Sequence, residues 1–188
     1  MKGQTRMKFF IASDIHGSEY YCRKMLHMFE GGQYDKLILL GDILYHGPRN
    51  DLPGLYNPKG VIEMLNNISD KILCVRGNCD TEVDQMVLDF PIMAEYACVF
   101  ADGINMFLTH GHCIPDRAKQ NGNVIISGHT HVPKCEENAD FLHLNPGSVS
   151  IPKENSPHSI LTFDKGLFEW YDIESGETYK RYEITYDN

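Results

Sequence analysis

The chain has 188 residues, 42% of them hydrophobic and 23% charged, a length that suits a single domain over residues 1–188 with one hydrophobic core. Lys and Arg number 17 against 26 Asp and Glu, a formal net charge of -9, which disfavours a general nucleic-acid binder because positive charge is not concentrated against a phosphate backbone. No stretch approaches the ~20 consecutive apolar residues of a membrane-spanning helix, and the opening MKGQTRMKFFIASD meets a carboxylate too early for a secretory leader, so the expectation is a soluble, cytoplasmic protein with no membrane partner, its residues 1–6 a flexible extension.

In chain order, Met7 to Ser13 is a short apolar run ending at Asp14, and Lys36 to Leu40 is a second ending at Gly41-Asp42; both read as buried strands. Between them Glu19 to Phe29 sets Tyr20, Met25, Leu26 and Phe29 among charged residues at helical spacing, and Gly31-Gly32 stops the helix, completing a βαβ unit. The Pro- and Gly-rich segment HGPRNDLPGLYNP forms a loop long enough to cover a site. Lys59 to Ile68 is a second amphipathic helix, Lys71 to Arg76 a third strand ending in Gly77-Asn78-Cys79-Asp80, and Thr81 to Leu88 a third helix. From Ile92 the pattern changes to hairpins: Tyr96 to Phe100, the turn Asp102-Gly103, Asn105 to Thr109, Val124 to Ser127 and Phe141 to Leu144. Ser159 to Tyr186 alternates as strand, with turn signals at Asp164-Lys165-Gly166 and Ser175-Gly176. The eleven elements imply an α/β architecture of mixed sheets with its site at the strand ends.

The six cysteines, Cys22, Cys74, Cys79, Cys98, Cys113 and Cys135, are scattered without a CxxC pair, so reduced thiols are expected rather than a zinc ribbon or a disulfide framework. Metal-ligand residue types instead gather in five clusters, each after an expected strand: Asp14-Ile15-His16, Gly41-Asp42, Gly77-Asn78, His110-Gly111-His112 and Gly128-His129-Thr130-His131. In an extended or turning segment residues i and i+2 can point to one side, so Asp14 with His16, and His129 with His131, can converge on one centre.

The blocks SDIHG, GDILYHGPRN, RGNCD, LTHGH and GHTH resemble, in order, those of the calcineurin-like metallophosphoesterases, and in detail those of YfcE-type bacterial phosphodiesterases. The likeness spans Asp14 to His131 and continues through NPGSVSIPK at Asn145 to Lys153. It implies a four-layer α/β/β/α sandwich, two mixed β-sheets flanked by helices, with two divalent metals at the strand ends. By the same resemblance one metal takes Asp14, His16 and His131, the other Asn78, His110 and His129, and Asp42 bridges both. Mixed imidazole, carboxylate and amide donors without cysteine suit Mn, the leading expectation, or Fe, Co, Ni, Zn or Mg, and argue against a closed structural zinc site. Against two divalent ions the two carboxylates leave a local surplus of about +2 that can hold phosphate in an acidic protein.

The mechanism that follows is in-line attack on phosphorus by a hydroxide bridging ions ~3.5 to 4 Å apart. The catalytic candidates are Asp42 and Asn78, with Cys79, His46 and Arg49. Many members of the wider superfamily read GNH(D/E) where this chain has Gly77-Asn78-Cys79-Asp80, and that histidine is the usual donor of a proton to the leaving group; a thiol beside two cations is partly thiolate and donates poorly. His46 and Arg49 in YHGPRN can orient substrate or bind a non-bridging oxygen. His112 supports a ligand or contacts substrate, and Asp80 orients a ligand histidine. His27, Met28, His143 and His158 read as structural, and Lys119, Lys134, Lys153 and Lys180-Arg181 as solvated surface.

The function expected is phosphodiester hydrolysis on a small substrate. The alternatives are a phosphomonoesterase or nucleotide pyrophosphatase with the same two metals, and, from another class, a protein-binding scaffold like the retromer subunit that resembles these enzymes. A homo-oligomer is a further expectation from the later strands.

Overall fold

The computed structural model describes residues 7–119 and 123–184; the expected extension at residues 1–6 lies outside the described residues. Strands β1 (Phe9–Ala12), β2 (Lys36–Leu39) and β3 (Ile72–Cys74) run parallel, joined by helices α1 (Glu19–Gly31) and α2 (Pro58–Asn66). Further along come helix α3 (Glu82–Gln85) and strands β4 (Tyr96–Ala101), β5 (Ile104–Thr109), β6 (Asn123–Ser127), β7 (Lys134–Glu137), β8 (Phe141–Asn145), β9 (Ser159–Asp164), β10 (Leu167–Asp172) and β11 (Thr178–Glu183). The first sheet has the order β11-β10-β9-β1-β2-β3 and the second β4-β5-β6-β8-β7. Both are mixed: β1 pairs antiparallel with β9, while β5, β6 and β8 run parallel.

Strand periodicity explains the layering. Phe10, Ala12, Leu37 and Leu39 point to α1 and α2, where Met25, Leu26, Phe29, Val61 and Leu65 complete one buried cluster. Their neighbours Phe9, Ile11 and Ile38 point the other way and pack with Met106, Leu108, Val124, Ile126, Leu142 and Leu144 of the second sheet. Because the middle of the first sheet is covered on both faces, β1 and β2 are apolar almost throughout, the pattern of buried parallel strands. The expected single core is therefore two, one on each face of that sheet. On the outer face of the second sheet a one-turn 3-10 helix at Asp116–Ala118 covers the patch where Ala118 packs with Phe107 and Ile125, while Tyr96 and Phe100 of β4 stay exposed.

Elements differ from the sequence reading where side chains intervene. The third helix spans four residues instead of Thr81 to Leu88. A reciprocal cap between Thr81 and Asp84 starts it; the Gln85 amide then donates to the carbonyls of Leu88 and Phe90 and accepts from the Ile92 amide, which closes the chain into a loop. Strand β7, KCEE, escaped the reading because a polar edge strand carries no apolar alternation. The last strand-like segment divides into β9, β10 and β11 at the two turn signals, as the sequence reading has it; its expected end at Tyr186 lies outside the described residues. At the hairpin turn Asp102-Gly103 both residues have positive φ, 49° and 81°, the primed geometry that two-residue hairpins require.

Candidate metal centre

Parallel strands deliver their C-terminal ends to one edge, and all five clusters lie there. Asp14 and His16 follow β1, Asp42 follows β2, Asn78 follows β3, His110 follows β5, and His129 and His131 follow β6. Asp14, His16, Asp42, His129 and His131 have φ of 59°, 48°, 55°, 68° and 61°, a left-handed conformation that costs a non-glycine residue about 1 kcal/mol or more. Main-chain bonds hold it: Asp14 N donates to Gly41 O at 3.1 Å, His16 N to Asp42 O at 2.9 Å and Gly17 N to Ile43 O at 2.8 Å. Two glycines permit the close approach. A Cβ on Gly77 would stand 2.1 Å from Asp42 Oδ1, and one on Gly128 would stand 1.9 Å from Ser13 Oγ.

The side chains gather in two groups. In one, Asp14 Oδ1 lies 3.3 Å from His131 Nε2 and 3.5 Å from His16 Nε2, and the two imidazole nitrogens are 3.2 Å apart. In the other, His110 Nε2 lies 3.0 Å from Asn78 Oδ1 and 3.2 Å from His129 Nδ1. Asp42 Oδ2 stands between them, 3.7 Å from His16 Nε2 and 3.5 Å from His110 Nε2. All seven expected ligands are brought together.

Hydrogen bonding on the far side of the rings tests whether a cation fits. Nδ1 of His16, His110 and His131 donates to the carbonyls of Tyr45 at 2.7 Å, Leu40 at 2.6 Å and Ile151 at 2.6 Å. Each Nε2 then turns a lone pair toward the centre, where it meets other acceptors: another Nε2, an amide oxygen, or Asp14 Oδ1, a buried atom with no hydrogen-bond donor. Acceptors facing acceptors at this range are satisfied by a cation shared among them. Burial pushes the Asp14 carboxyl up, but the imidazoles of His131, His16 and His110 gathered beside it more than offset that and hold it well below the usual range. His129 is pushed down by burial and by the neighbouring His110.

Around the groups lies a cavity of about 380 Å³ lined by Asp42, Asn78, Cys79, His129, His131, Arg49 and Lys153, with Gly47, Pro48, Asn50 and Thr130 completing the wall. No acidic side chain is paired with Arg49 or Lys153 among the described residues. Lys153, read from sequence as solvated surface, faces the cavity; the signal that could have found it is its position at the end of NPGSVSIPK. The same block supplies buried supports: Ser148 Oγ and Ser150 Oγ donate to Asp14 O at 2.9 and 3.1 Å, and Asn145 Nδ2 donates to Gly128 O at 2.7 Å.

Other candidates stand differently from their sequence reading. The His46 ring is wedged edge-on between Tyr45 and Tyr56, centroids 4.8 and 5.2 Å away, and does not line the cavity. Asp80 orients no histidine; its carboxylate accepts from the amides of Asp42, Ile43 and Gly77. Cys79 lines the cavity and its amide donates to Asp42 Oδ1 at 2.8 Å. Burial, then the charges of Asp42, Asp80 and Asp14, pushes the thiol up to about 12. His112 is exposed, its ring 5.6 Å from that of His110. His27 is exposed on α1, whereas His143 bonds Ser127 Oγ at 2.8 Å and His158 stacks on Tyr21, both in structural roles.

The sequence profile of the calcineurin-like phosphoesterase superfamily domain matches residues 7–166. The chain belongs to that superfamily. Among curated proteins, this phosphoesterase is 47% identical to phosphodiesterase YfcE of Escherichia coli K12 over 164 residues, 86% of this chain and 89% of that one. It is 29% identical to phosphodiesterase MJ0936 of Methanocaldococcus jannaschii over 151 residues, 75% and 83% of the two chains. The solved structure of the E. coli phosphoesterase YfcE superposes with a TM-score of 0.91 at 41% identity, covering 95% of this chain and all of that one. Vacuolar protein sorting 29 from Cryptosporidium parvum, at TM-score 0.64 and 18% identity over 95% and 99% of the chains, shares the fold. The family and the architecture of two mixed sheets flanked by helices thus agree with the sequence reading, and the chain is a phosphoesterase-family enzyme. No helix among the described residues is long and apolar enough to cross a membrane.

Proposed function

We propose that this phosphoesterase is a divalent-metal-dependent phosphodiesterase with a dinuclear centre. The observation that carries the reading is the position of Asp42 Oδ2, 3.7 Å from one donor group and 3.5 Å from the other, where one carboxylate can serve two ions. Asp14, His16 and His131 would hold the first ion, Asn78, His110 and His129 the second; Mn is the leading candidate, with Fe, Co, Ni, Zn and Mg able to compete. When bound, two such ions supply positive charge and an activated water for in-line displacement at phosphorus.

The chain's own residues do the rest. Arg49 and Lys153 hold non-bridging phosphoryl oxygens through charge-assisted hydrogen bonds. The backbone carbonyls of Tyr45, Leu40 and Ile151 fix the histidine tautomers. Cys79 lines the leaving-group side, where a thiol is a poorer proton donor than imidazolium, so esters with good leaving groups react best. The 47% identity to a named phosphodiesterase supports diesters over monoesters as substrates. Six free thiols support a reducing, cytoplasmic location.

The test is hydrolysis of bis(p-nitrophenyl) phosphate beside p-nitrophenyl phosphate by chelator-stripped protein, with and without Mn, and with His129→Ala as control. Mn-dependent diester turnover lost in the variant is expected. Faster monoester turnover would move the assignment to a phosphomonoesterase, and failure to bind any metal would overturn the enzymatic reading in favour of a scaffold.

A further inference from the structure

Two cavities meet at Cys79. One is the polar cavity over the candidate centre; the other, of about 400 Å³, lies beside it and is also lined by Cys79. The thiol sulfur and donor atoms of His16 and Asp42 all lie within 4.8 Å of one another, so the side chain that borders the second cavity stands beside the candidate centre.

The two cavities differ in chemistry. The second is walled by Tyr45, Tyr56, Ile62, Val83 and Val87, and no Lys, Arg or His is among its lining residues. Its one carboxylate, Asp84, is committed to capping α3, accepting from Thr81 N at 2.7 Å and Thr81 Oγ1 at 2.9 Å. A wall of this kind repels a second phosphate and rewards an uncharged, flat, apolar group. Val83 and Val87 are 68% and 43% exposed, apolar side chains that the fold itself leaves uncovered on the rim.

We propose that this groove is a subsite for a neutral aryl group esterified to the substrate phosphate. The inference rests on the phosphoesterase reading above and adds to it what hangs on the phosphorus. The polar cavity recognises the charge, and the groove recognises the ester group.

Phenylphosphonate and methylphosphonate, which carry the same anionic head and cannot be hydrolysed at an ester, separate the two contributions. Calorimetric titration of Mn-loaded protein is expected to show phenylphosphonate binding about tenfold tighter, the scale of discrimination a hydrophobic pocket supplies. Val83→Asn/Val87→Asn is expected to abolish that preference while methylphosphonate affinity and the melting temperature stay within error, and Val87→Leu to keep it. Equal affinity in the native protein, or a preference untouched by the double variant, would overturn the subsite while diester hydrolysis left the phosphodiesterase reading intact. If neither phosphonate bound, the phosphate cavity itself would be wrong and both readings would fall. If the double variant split a concentration-dependent dimer and left the preference unchanged, the face would belong to a second copy of the chain, and the subsite would likewise be overturned.

Discussion

The Asp80 carboxylate holds Asp42 by its backbone. Asp80 Oδ2 accepts from Asp42 N at 2.9 Å and from Gly77 N at 2.7 Å, while Oδ1 accepts from Ile43 N at 2.9 Å. One buried side chain thereby ties the loop after β2 to the loop after β3. Asp80→Asn replaces one acceptor with a donor facing amide hydrogens, which should cost about 1–3 kcal/mol of stability and weaken metal binding about 10- to 100-fold. Thermal melting and metal content after dialysis measure both; a variant native in both respects would remove the positioning role.

Asp42→Asn keeps the shape of the side chain and the acceptor for the Cys79 amide, yet removes the charge between the two donor groups. Metal stoichiometry below two after dialysis and at least a 100-fold loss of diester turnover are expected. A metal-replete variant working at the native rate would refute the bridging assignment.

Lys153 and Arg49 should act through substrate binding. Lys153→Gln is expected to raise KM for the diester about tenfold with a smaller change in kcat, and Lys153→Arg to restore most of it. Steady-state kinetics with the two variants decide the matter, and an unchanged KM in Lys153→Gln would return the lysine to the solvated surface.

Cys79 stands where many members of the superfamily carry histidine, and a thiol is a poorer proton donor than imidazolium at neutral pH. Cys79→His should flatten the dependence of rate on leaving-group pKa, improving esters of poor leaving groups most. Equal slopes for the native and variant proteins across a series of aryl and alkyl diesters would dismiss the argument.

His143 gives a pH dependence with a definite sign. Burial first, then Lys134, lowers its pKa from 6.5, so below pH 6.5 the unfolded chain takes up a proton that the folded chain refuses. The stabilisation is full above 6.5 and is lost as pH falls toward the folded value. His143→Gln, which keeps a partner for Ser127 Oγ, should lose less stability than the native protein over that interval in denaturant titrations; parallel curves would contradict the assignment.

The five clusters were legible in the sequence because each follows an apolar strand, and parallel strands deliver their ends to one edge; which of their members are the candidate ligands came from the family resemblance. Their neighbours were not. Asp80 sits one residue from the cavity-lining Cys79, but two of its three main-chain partners lie in a loop 37 and 38 residues away, which no local pattern announces. Lys153 reads like any surface lysine in sequence, but its amide donates to His131 O at 3.2 Å, which ties it to the cavity wall. His46 shares a motif with Arg49, yet ring packing against Tyr45 and Tyr56 turns it away. The layering was readable from continuous apolar runs, whereas the second core followed only once both faces of the first sheet were seen to be covered.

Five of the seven candidate ligand residues sit in left-handed backbone, and main-chain bonds between Asp14 and Gly41 and between His16 and Asp42 hold two of these loops in place. If ions are held here as proposed, the fold supplies the arrangement of their ligands in advance, and which metal resides at this edge would be governed by supply and ligand affinity more than by the folding history of the chain.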